Sequence, residues 1–205
     1  MGRNRLHDQQ IKDIRREQIL SCALTLFASN GLAATKITDI AAAAGISHGL
    51  MYTYFNSKEE LYTELIGSAF EKLNAACLEL ERLDMQPREK IVMAMNRLLA
   101  GIAEHEDNAR YHVLIAQAGI SDATPAEAKT ILLEARDLPY RVMARIIREG
   151  QADGSVKEHD ADDLAVAFWT TVKGIAFHRA IWGDQFRLPD PNILIAMFVT
   201  DNQPS

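Results

Sequence analysis

Apolar residues recur at helical spacing along most of the chain, and no window alternates apolar and polar positions as a half-buried strand does. Ile19, Leu20, Ala23, Leu24 and Phe27 form the apolar face of a first predicted helix from about Ile11 to Ser29, which Asn30-Gly31 ends in the left-handed conformation. A second, Thr38 to Ala44, carries Ile40, Ala41 and Ala44, and its small alanines let another helix approach closely. Gly45 supplies a corner where positive φ is needed, Ile46 can pin that corner into a core, and Ser47 offers an N-cap hydroxyl to a third helix, His48 to Phe55. Ser57 with Glu60 reads as a capping box that starts a fourth helix, from Lys58 to about Leu83.

Punctuation residues divide the remainder. Pro87 opens a fifth helix to about His105, and a short sixth spans Ala109 to Ala118 and closes at Gly119. Thr124-Pro125 starts a seventh reaching about Gln151, which Pro139 should kink or split. Asp153-Gly154 is a turn, Asp160 to Asp163 cap an eighth helix to about Trp182, and Pro189 to Pro191 introduce a ninth. The expected fold class is all-α, with about nine helices.

The stretch Thr35 to Leu61 then stands out, because two short helices around a glycine corner, followed by a capped third, make the layout of a helix-turn-helix. Gly31, Thr35, Ile40-Ala41, Ala44-Gly45-Ile46-Ser47, Gly49, Tyr52, Tyr54-Phe55 and Ser57-Lys58-Glu59 closely resemble the amino-terminal DNA-binding domain of the TetR family of transcriptional regulators. The resemblance covers roughly a quarter of the chain, with a weaker echo in Arg148-Glu149-Gly150-Gln151-Ala152-Asp153-Gly154. It implies a DNA-binding domain over residues 1–56 and a helical effector-binding and dimerisation domain over 57–205.

Residue roles follow from the motif. The first turn of the third helix, Ser47, His48, Gly49 and Leu50, is expected to enter the major groove. There His48 can read a base edge or touch phosphate, Gly49 lets the backbone lie close to the duplex, and Leu50 suits a thymine methyl. Leu50 departs from the small hydroxyl residue common at that position in the family. Tyr52, Tyr54 and Lys58 are candidates for phosphate, with packing an equal alternative for Tyr54 and the core the expectation for Phe55. Lys36 and Thr38 sit at the start of the second helix, where a phosphate can bind, and Thr35 is either a contact or a cap.

Charge sharpens this picture. The net charge is −6, yet residues 1–58 hold seven Lys or Arg against four Asp or Glu, while the rest holds fifteen against twenty-four. A basic end can neutralise phosphates while an acidic body stays off the duplex. Cys22 and Cys77 lie in apolar helical patterns and suit free thiols in a reducing compartment. The first ten residues hold no apolar signal-like run and no stretch nears the length of a spanning helix, so a cytoplasmic protein without a membrane partner is expected.

Chemistry of other kinds finds little support. Glu104-His105-Glu106-Asp107 with His112 has metal-binding residue types but reads as a polar helix end, and His159-Asp160 with Asp162 and Asp163 reads as acids at a helix start. No phosphate loop, nucleophile elbow or paired-cysteine set occurs, so no enzyme, cofactor or metal is expected.

For the larger part the resemblance implies a homodimer closed by the last two long helices, and an effector pocket among the middle ones. Leu164, Ala167, Phe168, Thr171, Gly174, Ile175 and His178 recur at helical spacing, and Ile193 to Val199, including Ile195 and Phe198, is apolar; these are the expected dimer face, with a monomeric core as the alternative. Phe70, Asn74, Cys77, Met95, Leu99, His112, Trp169, Lys173 and Phe177 are the candidate pocket residues, each also explicable as plain core. They suggest a neutral or weakly anionic, largely apolar effector. The expected partners are therefore operator DNA, a small molecule and a second copy, in a repressor released by its effector; a helical adaptor or an enzyme of the same shape is the alternative.

Overall fold

The structure, a computed structural model, describes residues 2–200, and for residues 2–6 and 8 the backbone alone. Among the described residues it is all helical: α1 Gly2–Ala34, α2 Ile37–Ala43, α3 His48–Met51, α4 Lys58–Arg82, α5 Pro87–Glu104, α6 Glu106–Ile120, α7 Ala126–Ala135, α8 Leu138–Ala152, α9 Ala161–Trp182 and α10 Pro191–Ile195, with a 3-10 turn at Gly183–Gln185. Gly31 interrupts α1 at φ 75°, where the sequence places the end of the first helix.

α1 starts at Gly2 rather than near Ile11, and boundaries differ from expectation in four further places, each for a local reason. α3 closes after one turn, because Tyr54 N–H reaches back to Met51 O at 2.9 Å and the chain tightens. α6 starts earlier, since Glu106 and Asp107 occupy its first turn and both pair with Arg110, at 2.7 and 2.8 Å. It also runs through Gly119. The seventh predicted helix is split: Pro139 has no N–H and its ring excludes the carbonyl four residues back, so α7 stops at Ala135 and α8 starts afresh. α10 has only five residues, after which Lys157 N–H donates to Phe198 O (2.9 Å) and Thr200 N–H to Ser155 O (3.1 Å).

The capping box before α4 is also only half reciprocal. Ser57 Oγ accepts from Glu60 N–H at 3.0 Å, but the Glu60 carboxylate turns to Asn56 N–H at 2.6 Å. Gly150, in the weaker family echo, has a packing reason: a Cβ there would stand 2.4 Å from Val156 Cγ2 and 3.2 Å from Pro87 Cβ.

Two apolar cores result. The first joins Ile19, Leu24 and Phe27 of α1 to Ile40, Met51 and Phe55, and extends beyond residue 56 to Leu61, Tyr62, Leu65 and Ile66 of α4 and to Leu114 and Leu132. Phe27 meets Tyr62 edge-on with ring centroids 5.2 Å apart, and Arg16 pairs with Glu64 while stacking over Phe55 at 4.7 Å. The second core is built from α5, α8, α9 and the carboxy-terminal segment around Phe168, Trp169 and Phe198.

Candidate functional site

The helix-turn-helix is set by backbone bonding around Gly45. At φ 66° this glycine donates to Ala42 O (3.1 Å), and Ile46 N–H donates to Ala41 O (3.0 Å), so α2 ends and the chain turns in three residues. Ser47 Oγ then accepts from Leu50 N–H at 3.2 Å and caps α3. Met51 and Phe55 are buried beneath, which turns Ser47, His48, Gly49, Leu50 and Tyr52 outward. Leu50 is 42% exposed, and the His48 and Tyr52 rings meet edge-on at 4.9 Å. Lys36 and Thr38 are exposed nearby, although Lys36 rather than Thr38 takes the N-cap position of α2. Tyr54 is half-buried against the first core.

Two sequence candidates have other work. Thr35 is buried, and its hydroxyl donates to Gly31 O at 2.7 Å, so its side chain is turned away from the surface and does not cap α2. Lys58 Nζ donates to the carbonyls of Leu32 (2.8 Å), Ala33 (3.3 Å) and Thr35 (2.7 Å). Its charge is spent on the acceptors left over where α1 ends, which fastens the head to α4. Thr53, which sequence reading passed over, is exposed one turn after Leu50, and its hydroxyl donates to Leu50 O at 2.8 Å. The i, i+3 spacing from Leu50 is the signal that could have found it.

In the larger core a cavity of about 650 Å³ opens between α4, α6, the α7–α8 junction and α9. Phe70, His112, Trp169, Lys173 and Phe177 line it, as anticipated, together with Leu73, Ile115, Ala116, Tyr140 and Arg141. The other four candidates do not. Asn74 donates to Ala135 O at 3.2 Å, Met95 and Leu99 are wholly buried core, and Cys77 lines a separate apolar space of about 120 Å³ behind Trp169. Burial pushes the Cys77 thiol up to about 12, which leaves it protonated and inert.

Burial, helped by the Lys173 ammonium, pushes the His112 imidazole down to about 4. The folded protein thus resists a proton that the unfolded chain accepts near its ordinary value of 6.5, so stability is full above that value and falls as pH drops toward 4. Between about pH 7 and about pH 5 the expected loss is about 1 to 2 kcal/mol, and His112→Gln should abolish it. Urea unfolding of both proteins at the two pH values measures this; identical pH dependence would show that His112 is not held neutral.

The predicted dimer face is largely turned inward. Leu164, Phe168, Ile195 and Phe198 are buried in the chain's own core, Ile175 packs half-buried against it, and Thr171 and His178 are half-buried, the latter with its ring against Trp182 and Phe186. The exposed stripe of α9 is instead Val166, Thr170, Gly174, Ile181 and Trp182. Gly174 belongs to the predicted set, Val166 and Thr170 lie one position off it, and Ile181 and Trp182 lie beyond its α9 end at His178. No helix is long and apolar enough to cross a membrane among the described residues.

Comparison with known proteins gives these features a context. The sequence model of the bacterial regulatory proteins of the tetR family matches residues 19–65, the segment just described. The HTH-type transcriptional repressor KstR2 of Rhodococcus jostii is 29% identical over 171 residues, covering 81% of this chain and 82% of the relative. The HTH-type transcriptional regulator TtgR of Pseudomonas putida is 27% identical over 165 residues, 78% and 77% of the two chains. The crystal structure of the MbdR regulator from Azoarcus superposes with a TM-score of 0.77 at 22% identity, over 89% of this chain and 96% of that one, a likeness of fold. With its helix-turn-helix, residues 19–65, matched by the tetR family model and transcriptional repressors aligned along most of its length, the chain is similar to the TetR family of transcriptional regulators.

Proposed function

We propose that the protein is a repressor that binds a pseudo-palindromic operator as a homodimer and leaves it when a small molecule fills the interior cavity. The observation that carries this is the outward first turn of α3, where a capped helix end presents His48 and Leu50 above a buried Met51 and Phe55. Backbone N–H groups and side chains there meet phosphate and base edges together. A dimer would set two such turns about 34 to 36 Å apart, matching successive major grooves.

The link between cavity and head is α6. One face gives His112, Ile115, Ala116 and Gly119 to the cavity. From the rest of the helix, Gln117 Nε2 donates to Ala28 O of α1 at 3.1 Å, and Asp107 accepts from the Ser21 hydroxyl at 3.2 Å. A ligand that moves α6 therefore moves α1 and the reading head on it. It releases operator only to the extent that it binds the displaced state more tightly.

The test is base reading. His48→Ala and Leu50→Ala should each cost about 1 to 3 kcal/mol at the operator and much less on unrelated DNA, with helicity unchanged. Binding is followed by fluorescence anisotropy at fixed salt. Full operator selection by both variants would remove α3 as the reading element and the proposal with it.

A further inference from the structure

Three polar residues of the cavity wall, Lys173, Tyr140 and Trp169, present donors. Lys173 Nζ donates to Tyr140 Oη at 2.6 Å and stands over that ring at 5.2 Å, so two of its three protons remain, and the Tyr140 O–H has no acceptor among the described residues. Trp169, one helical turn before Lys173 on the same face of α9, lines the cavity with its Nε1–H buried and without an acceptor among the described residues. No carboxylate lies within ion-pair distance of Lys173 among the described residues. The acids on the cavity wall are engaged by arginines, Asp137 by Arg136 at 3.5 Å and Asp162 by Arg148 at 2.5 Å. Around this cluster the wall is apolar: Phe70, Leu73, Ile115, Leu132 and Phe177.

We infer that the cavity takes an amphipathic anion, an aromatic or alicyclic body carrying one carboxylate-like group that is received by Lys173, Tyr140 and Trp169. The inference rests on the effector-cavity reading and names the class of ligand within it. A half-buried ammonium on an apolar wall without a counter-charge gains when an anion arrives, and three unmet donors call for a group that only accepts. A neutral acceptor satisfies the N–H and O–H groups but leaves the charge. A cation meets Lys173 head-on. His112, neutral and facing Lys173 from α6, adds no competing charge.

Two dyes with one skeleton test it: 8-anilinonaphthalene-1-sulfonate, an anion, and N-phenyl-1-naphthylamine, which lacks the sulfonate. Both brighten on leaving water, and titration gives the ratio of their affinities for the full-length protein. Lys173→Met should lower the preference for the anion by about tenfold or more while the neutral dye still binds, and Lys173→Arg should keep most of it. Tyr140→Phe should lower it by a smaller factor. Ala116→Phe, which fills the cavity from the α6 wall, should suppress both dyes, and circular dichroism checks that each variant is folded. If the dyes bind in a cavity-dependent way but Lys173→Met leaves their ratio unchanged, the anionic class is wrong and the cavity reading stands. If neither dye binds the wild type, or Ala116→Phe suppresses neither, the cavity reading itself falls and the inference with it.

Discussion

Phe168→Ala should destabilise the protein by about 3 to 5 kcal/mol, the range for removing a fully enclosed phenyl ring. Phe168 has no exposed surface, and its ring meets Trp169 and Phe198 edge-on at centroid distances of 5.4 and 5.7 Å. Truncation opens a void between α9 and the carboxy-terminal segment that neither can close, because that segment is tied to residues 155–157 by backbone hydrogen bonds. For a protein whose total stability is on the order of 5 to 15 kcal/mol, this is a large share. Urea unfolding followed by circular dichroism measures it. From the sequence Phe168 belonged to a dimer face, and then its loss should separate the subunits and leave the fold intact. A variant of wild-type stability that sediments as a monomer would restore that assignment and contradict the packing.

The paired change Thr170→Arg and Ile181→Asp should do the opposite, giving a folded, soluble monomer whose operator affinity falls at least about a hundredfold as the two heads lose their linkage. Ile181 is 78% exposed on the same side as Thr170 and as Gly174, where a Cβ would have nothing within 4 Å, and the neighbouring Trp182 is 52% exposed. A row of this kind is unfavourable in water, and a second copy of α9 can lie close over the glycine. Sedimentation and operator binding on the same preparation test it. If the double variant stays dimeric and binds normally, α9 is not the interface of the proposed dimer. The contrast with Phe168 sharpens the experiment: neighbouring residues of one helix are expected to fail in different ways, one by unfolding and the other by dissociation.

The local chemistry of the chain determined the helices, the corner at Gly45, the Ser47 and Asp160 caps and the outward turn of α3, because each depends on residues within about one helical turn. Pro139 is a partial case: its effect on the preceding backbone was legible, but whether it bends one helix or makes two depends on what each half packs against. Tertiary structure decided the rest. α9 carries apolar residues nearly all round, so periodicity cannot tell the face that meets α8 from the face left to solvent; Phe168 turned in and Ile181 out. Lys58 had the charge and the place for a phosphate contact, and only the approach of three carbonyls from the end of α1, more than twenty residues earlier, gave it another partner. Likewise Lys173, Tyr140 and Trp169 form a donor cluster only because α8 and α9 pack side by side, and no spacing along the sequence encodes that meeting. Backbone bonding is local and can be read from neighbours; which side of a helix is covered, and which charge is neutralised, is settled by residues far away in the chain.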